Sequence, residues 1–287
     1  MTNFLLVLGT QKCGTTWISN QLRSHSQHQS CAIKEWRALT KAISSSMQVK
    51  DYSVTISYVS ENYWHSLNKN SKRLFASANL DNYLSVQKSS LTWKHDQSFK
   101  SVGDITGANG LMDIELLRFF AQHAQSVGFN IKPMFIMRDP VERHFSAAKM
   151  KFNNTLKINN QVFNKDKHVE SLNQYVLDAL LFKSFINRTK YELVIPKIED
   201  MFSKSNILYL FSENLLQEKA IDKVTDYLGL KRFDDDGMNG YPKSLSNESR
   251  IKHILNENIR QKIRESYSST YIFTRNHFGS RIPKSWL

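Results

Sequence analysis

Phe4-Leu5-Leu6-Val7-Leu8-Gly9-Thr10-Gln11-Lys12-Cys13-Gly14-Thr15-Thr16 is the stretch whose reading decides the fold. Its first five residues are all apolar and read as a strand. The glycine-bounded loop that follows opens a helix over residues 15–24, where backbone N–H groups and the helix dipole favour an anion. Gly9, Gly14 and Thr16 fit the phosphate-loop pattern G-x-x-x-x-G-K-[ST], but Thr15 stands in place of its lysine. The lysine of this loop is Lys12. A triphosphate needs a cation beside the hydroxyl that holds magnesium, so this loop suits a shorter anion. Cys13 reads as a small loop filler rather than an activated thiol.

Outward from this loop, short apolar runs alternate with longer segments of helical period, the pattern of an α/β domain with a central parallel sheet flanked by helices. Further strands are expected at residues 31–33, 100–103, 133–137 and 207–211. Helices are expected at 110–126, 141–152, over much of 168–202, and at 212–228, where Gly229 supplies the stop. Residues 36–99 lack a clean period. They carry Tyr52, Tyr58, Tyr63, Trp64, Tyr83 and Trp93 among many Ser, Asn and Lys residues, and read as an irregular, partly helical insertion covering the acceptor side. No linker composition breaks the 287 residues, so one domain over 1–287 is expected.

Composition narrows the function. The net charge is +13, which attracts anions without naming one. The basic residues are scattered and accompany no zinc-finger or RRM-like motif, which disfavours nucleic acid. No apolar run approaches the roughly 20 residues of a membrane span. Cys13 and Cys31 form no disulfide framework or metal-ligand spacing, and no leader is visible, so a cytoplasmic location is expected.

A second motif follows another strand-like run. Pro133 to Met137 ends in Arg138-Asp139-Pro140-Val141-Glu142-Arg143-His144-Phe145-Ser146. Asp139 suits a helix cap and Pro140 a first turn, and an Arg fork with a Ser hydroxyl about two turns away can face one phosphate. The two motifs together resemble the sulfotransferases that use 3′-phosphoadenosine 5′-phosphosulfate (PAPS). The first is similar to that family's 5′-phosphosulfate loop, and the second to its 3′-phosphate motif R-D-P-x-x-R-x-x-S.

Weaker likenesses accompany these. Ile33-Lys34-Glu35-Trp36 resembles the K-E motif of the heparan-sulfate-type branch. Residues 103–109 resemble [DE]-[KI]-[ST]-P-x-Y, with Gly107 and Asn109 in place of Pro and Tyr. The ending Pro283-Lys284-Ser285-Trp286 is similar to the family's P-x-x-W finish, while residues 243–250, with Ser246, Asn247 and Ser249, match its third cofactor loop only loosely.

The resemblance implies a P-loop-type fold and transfer of a sulfuryl group from PAPS to a hydroxyl or amine, with adenosine 3′,5′-bisphosphate released and no metal required. It assigns Gly9, Gln11, Lys12, Cys13, Gly14, Thr15, Thr16, Arg138 and Ser146 to the cofactor. Lys12 answers the charge on the leaving group, and Glu35 is the candidate base, with His65, His95 and His144 as rivals. The K-E motif and the basic charge point to a saccharide or glycoconjugate acceptor; a tyrosine, small alcohol or lipid stays open. Two other readings keep the loop: a nucleotide kinase, opposed by Thr15 and by the lack of a clear magnesium aspartate, and a non-catalytic module for adenosine bisphosphate or a polyanion, opposed by Lys12 and Glu35.

Overall fold

A computed structural model describes residues 1–30, 38–93, 99–216, 220–233 and 255–287. Among them, strands β1 (Thr2–Val7), β2 (His28–Ser30), β3 (Ser101–Asp104), β4 (Phe129–Met137) and β5 (Leu208–Phe211) form one sheet in the order β2-β3-β1-β4-β5. Every pairing is parallel, which confirms the expected α/β class. Leu5 lies opposite Gly103 on one side and Lys132 on the other, so β1 is central and the loop leaving it sits mid-edge. Ligands gather at this carboxyl edge in open parallel sheets.

The apolar run of β1 serves two cores. Leu5 and Val7 face helix α1 (Thr15–Ser24), through Trp17, Ile18 and Leu22, and helix α11 (Ala220–Leu228), through Ile221, Val224 and Leu228. Phe4, Leu6 and Leu8 face the other side with α6 (Ile114–Ser126), α10 (Ile195–Phe202) and α13 (Ser268–Phe278). Burial on both faces is why this strand shows no alternation.

Several boundaries differ from expectation. The expected strand at 31–33 lies outside the described residues, and β2 precedes it, joined to β3 by His28 Nδ1 and Ser101 Oγ at 2.7 Å. Helix α6 starts at Ile114 instead of residue 110, because Asp113 caps it by accepting from the Glu115 N–H at 2.9 Å. The 168–202 region is α8 (Lys165–Asp178), a short α9 (Lys183–Ile186) and α10, separated by tighter turns. Before α11, Ser212–Asn214 form a single turn, and 217–219 lie outside the described residues.

The insertion is more regular than its composition indicates. It holds α2 (Leu39–Ser46), α3 (Glu61–Ser66), α4 (Lys69–Ala78) and α5 (Leu80–Ser90). The Ser and Asn residues that blur its period are caps: Ser60, Asn68 and Asn79 each accept first-turn N–H groups. Asp81, Ser85 and Ser89, four residues apart on α5, accept from the N–H groups of Thr55, Ser57 and Val59, two residues apart in extended chain. Eight helical residues rise about 12 Å and four extended ones about 13 Å, so the two ladders stay in step. Trp64, Tyr83 and Trp93 of this segment are buried in the same core as Phe4 and Leu6.

Candidate active site

The anion loop takes its shape from backbone hand and close packing. Lys12 and Gly14 are left-handed, with φ of 77° and 93°, and flank Cys13. Such alternation turns successive N–H groups toward one point. Helix α1 begins at Thr15 with no side-chain cap, so its first N–H groups, which lack helical acceptors, face the loop. A Cβ on Gly14 would strike Leu215, and one on Gly9 would strike the Phe135 ring. Thr10 Oγ1 lies 2.8 Å from Cys13 Sγ, the thiol is buried, and burial pushes its pKa up. Cys13 is therefore an unreactive filler in a desolvated place. Thr15 is buried at the helix start, Thr16 and Gln11 half-buried.

The second motif stands directly beside this loop. Asp139 caps α7 (Pro140–Ile158), its Oδ1 accepting from the Glu142 N–H at 3.0 Å and its Oδ2 from the Tyr271 hydroxyl at 2.8 Å. Its own N–H donates to Glu213 Oε1 at 2.7 Å, and burial pushes both carboxyls up. Arg138 is clamped at its backbone by Tyr191, whose hydroxyl accepts from its N–H at 3.2 Å and donates to its carbonyl at 2.7 Å. Trp286 stacks on Tyr191 at 6.3 Å between ring centres, which ties the P-x-x-W ending to the motif. The Arg138 guanidinium donates to the Lys12 carbonyl at 3.3 Å and lies 3.6 Å from Glu142, whose other oxygen meets Arg260 of α12 (Glu257–Ser266) at 2.8 Å.

Arg143 is the residue whose use the motif alone did not disclose. It is 1% exposed and donates to the carbonyls of Gln11 at 3.3 Å and Phe185 at 3.1 Å, and to Thr189 Oγ1 at 2.6 Å. Its place in R-D-P-x-x-R was visible; its burial was not. The 103–109 stretch also folds onto this loop: a Cβ on Gly107 would come to 3.0 Å from the Gln11 nitrogen. A proline ring in its place would have to displace that backbone. At the end of β3, Asp104 is buried with Tyr83 donating to it at 2.7 Å, and burial pushes its carboxyl up. Neither contact has a signal in the linear pattern.

The candidate bases separate. His144 is fully buried, with Nδ1 2.8 Å from the Tyr267 hydroxyl and Nε2 2.9 Å from the Val176 carbonyl, and burial draws it down to about 4. Both its nitrogens are engaged in packing. His65 lies on the surface, 3.6 Å from Glu61. Glu35, His95 and the loop at 243–250 lie outside the described residues.

The sulfotransferase from Alicyclobacillus acidocaldarius superposes with a TM-score of 0.59 at 13% identity, over 100% of this chain and 98% of its own. The sulfotransferase domain of the Synechococcus PCC 7002 olefin synthase gives 0.47 at 13% identity, over 93% and 94%. Mouse sulfotransferase SULT7A1, solved with PAP, gives 0.41 at 11% identity, over 96% and 85%. No curated protein matches the chain in sequence. The family model "Sulfotransferase domain" matches residues 3–284. The first of these structures shares the fold, and the chain is a member of the sulfotransferase family, an enzyme of sulfuryl transfer.

Proposed function

We propose that the protein takes its sulfuryl group from PAPS and delivers it to a hydroxyl or amine of a saccharide or glycoconjugate. One observation carries the cofactor half: Arg138 of the second motif donates to the carbonyl of Lys12 in the first, across 3.3 Å. A nucleotide with phosphosulfate at one end and phosphate at the other needs two adjoining anion sites, each with its own cation. The donor set fits such a group, since an uncapped helix start and the left-handed Lys12 and Gly14 stand beside the Arg138 guanidinium.

In this reading Lys12 and the N–H groups of Gly14, Thr15 and Thr16, helped by the two threonine hydroxyls, hold the phosphosulfate. Gly9, Gln11 and Cys13 shape the loop around it, and Arg138 and Ser146 hold the 3′-phosphate. PAPS supplies the transferable group and leaves as adenosine 3′,5′-bisphosphate. The chain supplies position and charge: the Lys12 ammonium stabilises the negative charge that develops on the leaving oxygen, and the Glu35 carboxylate accepts the acceptor's proton. The saccharide class rests on the Lys34-Glu35 pair and the +13 charge. Residues 36–99 cover the acceptor side, and the lack of a disulfide framework supports a cytoplasmic setting. No helix among the described residues is long and apolar enough to cross a membrane.

Calorimetric titration with adenosine 3′,5′-bisphosphate and, in parallel, with ATP and Mg²⁺ tests the cofactor; tighter binding of ATP with Mg²⁺ would restore the kinase. Turnover of PAPS against unsulfated polysaccharide, tyrosine peptide and simple alcohols then tests the acceptor, and sulfation of the peptide or alcohols alone would sink the saccharide class. Lys12→Ala is expected to cost at least about a hundredfold in kcat with an unchanged melting temperature. Glu35→Gln is expected to slow transfer with cofactor affinity intact.

A further inference from the structure

Beyond Arg138 and Ser146, the same face of α7 carries one more cation. Glu142, Ser146 and Lys149 follow at spacings of four and three residues, so they form a single stripe along the helix. At its upper end Arg138 and Glu142 meet at 3.6 Å. At its lower end Lys149 is partly buried, its Nζ 5.0 Å from the centre of the Phe145 ring, which holds the side chain along the helix surface. One residue further, Met150 Sδ lies 3.9 Å from Lys12 Nζ, so the anion loop reaches the third turn of α7. Burial and the nearby Arg138 guanidinium both pull the Lys149 ammonium below its ordinary range. Glu142 counters this pull, yet the same carboxylate is drawn more closely to Arg260, at 2.8 Å. Arg138, reaching this stripe through Glu142, and Lys149, at its other end, leave the Ser146 hydroxyl between them in the helix order, an arrangement that gains from a group carrying two negative charges.

We propose that Lys149 is a third ligand of the nucleotide's 3′-phosphate, completing with Arg138 and Ser146 a cradle that selects a phosphate dianion. This rests on the cofactor reading above. The cradle separates adenosine 3′,5′-bisphosphate from adenosine 5′-monophosphate, which lacks only the group in question.

The test is the dissociation constant of each nucleotide, by calorimetry, for the unaltered protein, Lys149→Ala, Lys149→Met and Lys149→Arg. Lys149→Met retains the apolar stem and carries the test if the alanine variant is unstable. Loss of one charged hydrogen bond is expected to weaken the bisphosphate about tenfold in the Ala and Met variants. The monophosphate should change by less than about twofold, and Lys149→Arg should stay near the unaltered value. Equal weakening of both nucleotides, or no weakening of the bisphosphate, overturns the proposal while leaving the cofactor reading intact. An unaltered protein that fails to prefer the bisphosphate overturns both.

Discussion

Arg143 Nε donates to the carbonyl of Gln11 across 3.3 Å, so a buried guanidinium on the R-D-P helix sets the backbone of the anion loop. The same side chain reaches Phe185 and Thr189, and three segments distant in sequence are pinned by one fork. Arg143→Ala would leave two part-buried carbonyls and the buried Thr189 hydroxyl without this donor. The expected cost is about 3 kcal/mol in denaturant unfolding, with weaker nucleotide binding besides. Arg143→Lys should recover little of either, since an ammonium cannot span the three acceptors. Full stability in the lysine variant would contradict the pinning role.

Gly14 answers two demands at once, a φ of 93° and the nearness of Leu215. Gly14→Ala is expected to destabilise the fold by about 2 kcal/mol and to reduce affinity for adenosine 3′,5′-bisphosphate. Adding Leu215→Ala removes the collision but not the backbone strain. The double variant should therefore regain only part of the binding lost to Gly14→Ala; complete recovery would show that hand plays no part.

His144 ties stability to pH. Burial lowers its folded pKa to about 4, against an ordinary value of 6.5, so the unfolded chain binds the extra proton first. Its contribution is fully present above about 6.5 and is lost as pH falls through about 4. Between those limits the effect approaches about 3 kcal/mol. Buried carboxyls such as Asp104 and Asp139 act in the opposite sense, so the quantity to measure is the difference in urea midpoint between the unaltered protein and His144→Gln at pH 7 and pH 5. The unaltered protein should lose more stability than the variant over this interval. Identical slopes would mean that His144 does not titrate as described.

The ladder between α5 and the extended 52–59 stretch is graded by burial. Val59 and Ser89 are buried, whereas Ser57 is exposed. Ser89→Ala strands a buried N–H and is expected to cost about 1–2 kcal/mol, and Ser85→Ala less, because water can reach the Ser57 N–H. Thermal unfolding of the two variants checks the order, and a larger loss from Ser85→Ala would reverse it.

Much of this molecule was readable before its folding was known. The class of fold follows from the apolar run Phe4 to Leu8, which the structure buries on both faces, and from the helical period of the segments between strands. The insertion's helices are hidden in its composition because their capping residues, Ser60, Asn68 and Asn79, are the same polar types that mark irregular chain. Arg143 and Ser146 look equally available on paper, but one is 1% exposed and the other half-buried.

By itself, the sequence determined the parallel sheet and the two strand-to-helix junctions, one shaped by glycine and the other capped by Asp139 ahead of Pro140, because these depend on local period, hand and capping. Only tertiary structure decided that Arg138 meets Lys12, that Arg143 is withdrawn to hold Gln11, that His144 is spent on packing, and that Lys149 is partly buried against Phe145. Each of these depends on which buried groups desolvate one another across more than a hundred residues or on how a helix face is turned, and neither is a property of neighbouring letters.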